Sequence, residues 1–410
     1  MVYFEVKQSC KVYLLSLFLA LQSLLAVSQV STAGVARAGD VQVSLVTIYP
    51  GSNLYEIYGH TELRVTDSLS DTYYNYGLFD FNAPHFVYRF VAGHTDYMCG
   101  GLPGYVALRE YMGSGRKVVE QVLNLTADQA RQVRQLLALN CLPQNATYRY
   151  KFLSDNCATR PRDIIERVLG KSLHYHIAAG EKQETYRDIM SHYNGNYPWE
   201  AFGIDLALGL SADTVISYRQ KLFIPMHLMS AVASATVDRP GGGQEPLVTA
   251  TRVLNPGSDQ GTVLPPTPWW ATPLALAVLL LAAVCYATWR DLRRGRLSRL
   301  CDSVLFLAYG LAGCIVYFLI FVSTHESTSP NLDGLWLHPF YLLPAVMVWV
   351  PRWRKPLLWL HGAMLVEMAV FMIVAPFLPQ HFNIAFYPLM LVIVLRSFNY
   401  VMLNRNNASQ

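Results

Sequence analysis

The last third of this 410-residue chain is a succession of apolar segments separated by loops of unequal charge, and no other feature limits the fold as much. Five segments can be marked, at about 269–289, 301–322, 340–350, 357–377 and 384–403. Most are close to the roughly 20 residues that a helix needs to cross a bilayer. The third is short unless residues 335–338 join it. With 52% hydrophobic residues and a mean hydropathy of +0.23, the chain is too apolar to be wholly water-soluble. Backbone crosses lipid only as helix or closed barrel, so an all-α domain of five transmembrane helices is expected over 269–410.

Charge orients that domain. Arg290, Arg293, Arg294, Arg296 and Arg299 fill the first loop, Arg352, Arg354 and Lys355 the third, and Arg405 the tail, whereas 323–339 and 378–383 hold no Lys or Arg. The positive-inside rule puts the basic loops in the cytoplasm and the chain before residue 268 on the opposite side. The arginine cluster is thus a topology signal, and the formal charge of +4 gives no reason to expect nucleic acid as a partner. Trp269, Trp270, Trp289, Trp336, Trp349, Trp353 and Trp359 stand near predicted segment ends, as interfacial aromatics do. Glu367, deep in the fourth segment, is either a functional group or a bond to a neighbouring helix. In loop 323–339, Leu335, Trp336 and Leu337 read as an interfacial anchor or part of a lipid entrance.

At the other end, Lys7 and Lys11 precede an apolar stretch at about 12–27, and Ala36-Arg37-Ala38 stands before Gly39. This pattern reads as a signal peptide over 1–38, with an uncleaved anchor helix as the alternative. A signal peptide and five crossings give the same topology. Residues 39–235 alternate strands, amphipathic helices and turns like a globular domain. The tract from Arg239-Pro240-Gly241-Gly242-Gly243 to Pro265-Pro266 reads as a linker, over 236–268.

The outer domain has three cysteines, Cys99, Cys141 and Cys157. In an oxidising compartment an odd number leaves at least one thiol unpaired unless the chain dimerises through it. Cys157 lies in Ser154-Asp155-Asn156-Cys157-Ala158-Thr159-Arg160-Pro161-Arg162-Asp163, ahead of Ile164, Ile165, Val168 and Leu169, with Gly170 as a stop. Asp155 or Asn156 as cap and Pro161 in the first turn predict a helix that begins at Cys157. A helix N-terminus flanked by Arg160 and Arg162 favours a thiolate, so Cys157 is the candidate nucleophile rather than an inert buried cysteine.

A thiol nucleophile needs a base, usually histidine. Tyr58-Gly59-His60-Thr61-Glu62-Leu63-Arg64-Val65 reads as a turn entering a strand, with Leu63 and Val65 on the buried face and His60, Glu62 and Arg64 on the other. Tyr73-Tyr74-Asn75-Tyr76-Gly77 reads as an adjoining strand, from which Asn75 can orient the imidazole; Asp80 is its rival. No His/Cys spacing suits zinc, and no metal or cofactor is expected.

With these motifs in hand, the chain resembles the Lnb family, the Bacteroides-type lipoprotein N-acyltransferases. The likeness rests on Leu54-Tyr55 and Tyr58-Gly59-His60-Thr61, on Asn75-Tyr76-Gly77 with Phe79-Asp80-Phe81, and on Phe90-Val91-Ala92-Gly93 with Asp96-Tyr97. It continues through Asp155-Asn156-Cys157-Ala158-Thr159-Arg160-Pro161, Pro198-Trp199, Phe202-Gly203-Ile204-Asp205 and the membrane tail. The resemblance implies an α+β papain-like outer domain, of circularly permuted NlpC/P60 type, in the periplasm, followed by five transmembrane helices in the bacterial inner membrane. It makes Cys157 the nucleophile and His60 the base; Asn75 as third member rests on the strand reading alone. The implied reaction moves a fatty acyl chain from a phospholipid donor, through a Cys157 thioester, to the α-amine of the lipid-bearing N-terminal cysteine of a lipoprotein. The alternatives are a cell-wall peptide hydrolase and a non-catalytic envelope assembly or sensor protein.

Overall fold

Strand β1 (Gln42–Ile48) is buried at every position after Gln42, which requires a sheet covered on both faces. The computed structural model describes residues 41–53, 55–258 and 265–405. The signal-peptide expectation for 1–38 lies outside them. The strands that follow are β2 (His60–Thr66), β3 (Asp71–Leu78), β4 (Asp96–Pro103), β5 (Val118–Leu123) and β6 (Thr147–Arg149). After the short β7 (Leu173–His174) come β8 (Thr236–Asp238), β9 (Gln244–Pro246) and β10 (Val248–Asn255). One antiparallel sheet of seven strands has the order β10-β5-β1-β2-β3-β4-β6, and β7-β8-β9 form a small second sheet.

Alternation gives the two faces different work. Leu45, Leu63, Val65 and Tyr76 pack in one core with Val133 and Leu137 of a helix over Ala127–Asn140, Ile164 and Ile165 of the Cys157 helix, and Leu228 and Val232 of a later helix. Val46, Ile48, Tyr73 and Val118 pack on the other face against Ala107 and Tyr111 of the helix over Gly104–Ser114. His60, Glu62 and Arg64 belong to this second face. The strand pattern left that face open, but the helix that precedes β5 covers it.

The tract read as a linker is largely folded. Gly241, Gly242 and Gly243, all at positive φ, turn the chain between β8 and β9, and β10 then pairs with β5 as the sheet edge. Its apolar residues are interleaved with Thr and Arg, as suits an exposed edge strand, and the Pro/Gly content around it masked the pattern.

Among the described residues, the C-terminal part has four helices long and apolar enough to cross a membrane: Pro273–Arg294, Arg299–Phe321, Pro351–Phe377 (which includes flanking 3₁₀ turns) and Phe386–Asn404. The third of the five expected segments is not a long helix. It folds as a turn at Asp333–Trp336, a 3₁₀ turn at Pro339–Tyr341 and a six-residue helix at Leu342–Met347, and the 3₁₀ turn at Pro351–Trp353 then opens the next span. Pro339, Pro344 and Pro351 each lack an N–H and interrupt the helical ladder. This broken segment runs antiparallel to Arg299–Phe321. Gly313 lies against His338, Gly310 against Leu342, and Ser303 donates to the Ala345 carbonyl and accepts from Trp349 Nε1.

Glu367 pairs with His338 of the broken segment at 3.2 Å. Arg396 is fully buried and ties three helices together, donating to Asp302 (2.5 Å), Asp291 (2.9 Å) and Thr288 (3.1 Å). Buried charges among such helices persist only when paired in this way. Trp336 and Leu337, expected as interfacial anchors, are buried in the helical core instead.

The loop after Phe321 fastens the helices to the sheet domain. Thr324 N–H donates to the Ala92 carbonyl (3.0 Å), Glu326 accepts from the backbone N–H of Leu153 (3.1 Å) and Ser154 (3.2 Å), and Gly209 N–H donates to the Ser327 carbonyl (2.6 Å). The motif at 198–205 completes the junction: Trp199 Nε1 donates to the Ala271 carbonyl, Phe202 meets Phe386 at 5.2 Å, and Asp205 accepts from Arg187 and from Asn383.

Candidate active site

Asn156 sets the position of Cys157. Its Oδ1 accepts from the N–H groups of Ala158 (2.8 Å) and Thr159 (2.9 Å), and its Nδ2 donates to the carbonyls of Phe152 (2.7 Å) and Phe223 (2.9 Å). Every hydrogen-bonding position of the amide is used, which clamps the strand-to-helix turn. The helix itself spans Thr159–Leu169 with Ala158 as cap, so Cys157 lies one residue ahead of the cap. The Ala158 and Thr159 N–H groups are taken by Asn156, and they are not available to a ligand.

His60 is the first residue of β2 and follows Gly59, whose φ of +80° makes the turn. Glu62 pairs with Asn75 across the β2–β3 ladder, which places Gly77 opposite His60. His60 Nε2 lies 3.1 Å from Asn75 Oδ1, and the same oxygen accepts from Gly77 N–H at 2.6 Å. Two donors on one oxygen fix which way the amide points. With Nε2–H donating to Asn75, the imidazole keeps its lone pair on Nδ1, the tautomer a general base needs. A side chain at 77 would collide with the ring: a Cβ there would stand 2.7 Å from His60 Cε1. Asp80, the rival of Asn75, is exposed and accepts from Asn82 N–H in its own loop.

Cys157 is 8% exposed. The β2–β3 ladder stops at Glu62–Asn75, and the N–H groups of Thr61, next to His60, and of Cys157 itself are directed at the Cys157 sulfur. Tyr97, Tyr148 and Tyr150 lie within its electrostatic reach.

The charges differ from expectation. Arg160 is held by Asp155 at 2.6 and 2.8 Å and lies 3.5 Å over the Tyr148 ring, while Arg162 is held by Asp163 and by the Arg219 carbonyl. Neither serves the thiol. The cation that does is Arg116, which the sequence did not bring forward. It is buried and donates to the Tyr49 carbonyl (2.8 Å) and Glu56 (3.3 Å), and its Nη2 has no partner.

Burial pushes the Cys157 thiol up to about 11, against the two N–H groups and Arg116, which favour the thiolate. Burial, helped by Arg116, brings His60 down to about 4, and the Asn75 bond opposes this. Burial also raises Glu62 to about 7; its Oε1 accepts from Tyr111 at 2.5 Å and stands 3.8 Å from His60 Nε2. Near neutral pH Cys157 is therefore a thiol and His60 a neutral imidazole, not a preformed thiolate and imidazolium. Such a pair reacts by passing the proton to histidine as the sulfur attacks.

Cys99 and Cys141 stand together, their sulfurs 2.8 Å apart, in a cluster with Tyr76 rather than at the nucleophile. Among the described residues there is no group of three or more His, Cys, Asp or Glu side chains that could hold a metal ion.

Two family profiles match the chain. The Lnb N-terminal periplasmic domain covers residues 29–192 and the Lnb transmembrane domain covers residues 266–407. No curated protein and no solved structure matches it.

Proposed function

Because this chain belongs to the Lnb family, a multi-pass membrane protein with a periplasmic domain, we propose that it is a cysteine-dependent lipoprotein N-acyltransferase of the bacterial inner membrane. The observations that support the reading are the His60–Asn75 bond and the N–H of Thr61, the residue after His60, directed at the Cys157 sulfur, in a domain fastened by hydrogen bonds to apolar helices. A site fixed at the bilayer surface suits two lipid substrates, a phospholipid donor and a lipoprotein acceptor. The broken segment is the fifth crossing, and the arginine-rich loops face the cytoplasm. A nucleophile just ahead of a helix, packed on an antiparallel sheet that supplies the histidine, also supports the papain-like, permuted NlpC/P60 reading of the fold.

In the first half-reaction, Cys157 Sγ attacks the carbonyl carbon of a phospholipid ester while its proton passes to His60 Nδ1. The Cys157 N–H and the unpartnered Arg116 Nη2 are the donors for the developing oxyanion. The ester C–O bond then breaks, His60 returns the proton to the departing lysophospholipid oxygen, and a thioester remains. In the second, the α-amine of the lipid-bearing cysteine attacks the thioester. His60 takes the amine proton and the C–S bond breaks, so that an amide forms and the proton goes back to the thiol. Burial of Cys157 limits loss of the thioester to water.

The test is mass spectrometry of a lipoprotein's N-terminal lipopeptide from cells that lack N-acylation, complemented with wild type, Cys157→Ala or His60→Ala at equal expression. The extra amide-linked acyl chain is expected with wild type only. If wild type adds none and instead cleaves muropeptides, the proposal fails in favour of a cell-wall hydrolase.

A further inference from the structure

The motifs Phe79-Asp80-Phe81, Phe90-Val91 and Asp96-Tyr97 play no part in the chemistry above. In the fold they form one object. Tyr150, within electrostatic reach of the Cys157 sulfur, stacks on Tyr97 at 4.1 Å; Tyr97 meets Phe79 at 4.7 Å and Phe79 meets Phe81 at 4.4 Å. The series goes on from Phe81 to Phe86 at 5.4 Å and from Phe86 to Phe90 at 6.1 Å. An unbroken ladder of rings thus leads from Tyr150, within electrostatic reach of the nucleophile, to the short helix α1 (Phe86–Val91).

Helix α1 is built inside out for water. None of its residues is buried, and Val87, Tyr88 and Phe90 are 73%, 59% and 47% exposed, with Phe81 beside them at 57%. Its one charge, Arg89, is turned to the protein and paired with Asp96 at 3.0 Å. Soluble surfaces rarely carry such a contiguous apolar patch, and a larger one marks a membrane or partner site. The occupant follows from what the patch joins. Tyr88 rests on Phe318 at 6.1 Å, in the last turns of the membrane helix Arg299–Phe321, and the loop after that helix hydrogen-bonds to the Phe90, Val91 and Ala92 carbonyls. On the same helix Leu311, Ile315 and Phe321 are exposed, so the patch continues a lipid-facing surface.

We infer that α1 and the Phe81 ring beside it sit in the outer half of the bilayer, and that the ring ladder is the surface along which one fatty acyl chain of a membrane glycerolipid leaves the bilayer to reach Cys157. The inference rests on the acyl-transfer reading for its purpose. Its location claim stands apart and has its own readout. The route is sequence-tolerant and greasy, as fits a disordered chain, and places the polar headgroup outside.

The experiment uses the full chain in vesicles of phosphatidylethanolamine and phosphatidylglycerol, with a photo-crosslinking phenylalanine analogue at Val87, Phe90 or, as control, the exposed Gln244 of β9. Lipid adducts are expected at 87 and 90 and not at 244; absence at both 87 and 90 overturns the inference, whatever the enzyme does. Val87→Asp and Phe90→Asp are then compared with wild type on long-chain phospholipid in vesicles and on a water-soluble short-chain ester. The long-chain to short-chain rate ratio is expected to fall about tenfold or more, the effect of losing one large apolar contact. An unchanged ratio overturns the route, since damage to the fold would lower both rates together. If wild type transfers no acyl chain to lipopeptide while the adducts appear, the acyl-transfer reading fails and the membrane location stands.

Discussion

Replacing Gly77 by alanine should disable the enzyme while leaving it folded. The added Cβ would stand 2.7 Å from His60 Cε1 and 3.2 Å from Asn75 Oδ1. Carbon atoms pack at about 3.5 Å or more, so the imidazole must retreat by roughly 0.8 Å. Gly77 is not among the glycines at positive φ, so alanine meets no backbone strain there, and its N–H still reaches Asn75. Stability should fall by about 1–3 kcal/mol, the usual scale for overpacking a close-packed site, which leaves the domain folded. Activity should not be spared, because a displacement near 1 Å in a positioned catalytic group costs on the order of 10²-fold. The assay is the initial rate of acyl transfer from vesicle phospholipid to a diacylglyceryl-cysteine lipopeptide, followed by mass spectrometry beside a thermal unfolding scan. A Gly77→Ala protein that melts with wild type and turns over at the wild-type rate would refute the placement of His60 as base.

Three further outcomes follow from the same geometry. Arg116 lowers the proton affinity of His60, so Arg116→Gln should move the acid limb of the pH–rate profile upward from about pH 4; an unmoved limb with only a lower rate would make Arg116 an oxyanion donor alone. Glu62, raised from 4.5 to about 7, gives stability that is complete below pH 4.5 and lost as pH rises through 7. Glu62→Gln should thus gain on wild type at pH 8 relative to pH 5 by up to on the order of 3 kcal/mol, read as a difference in unfolding temperature at the two pH values. Cys99 and Cys141, adjacent in a domain on the oxidising side of the membrane, should be found linked by non-reducing peptide mapping, with Cys157 free; a link to Cys157 would contradict the site.

The readable parts of this chain were those encoded locally. The Asn156-Cys157 turn into an amphipathic helix and the alternation that puts His60 and Glu62 on one face of β2 are properties of neighbours in sequence, and the structure keeps them. Arg116 is different. It is joined to Tyr49 and Glu56, 67 and 60 residues earlier in the chain, and nothing in Gly115-Arg116-Lys117 announces a buried guanidinium. Arg160 and Arg162 failed in the opposite sense, since closeness in sequence to Cys157 said nothing of the Asp155 and Asp163 carboxylates that hold them. In the membrane part, hydropathy marks apolar length but not continuity. Pro344 within the third segment and Pro339 and Pro351 at its ends leave it in short pieces, and Arg396 is tolerated in the last helix because Asp291 and Asp302 arrive from two others.

The central claim is a covalent acyl-enzyme at Cys157. Purified full-length protein is incubated with phospholipid vesicles without acceptor and digested, and the peptide carrying Cys157 is weighed. The expected result is a fatty acyl adduct on Cys157, removed by neutral hydroxylamine and discharged on adding lipopeptide amine. Acyl transfer that continues in Cys157→Ala, or turnover by a wild-type protein in which Cys157 is never acylated, would contradict it.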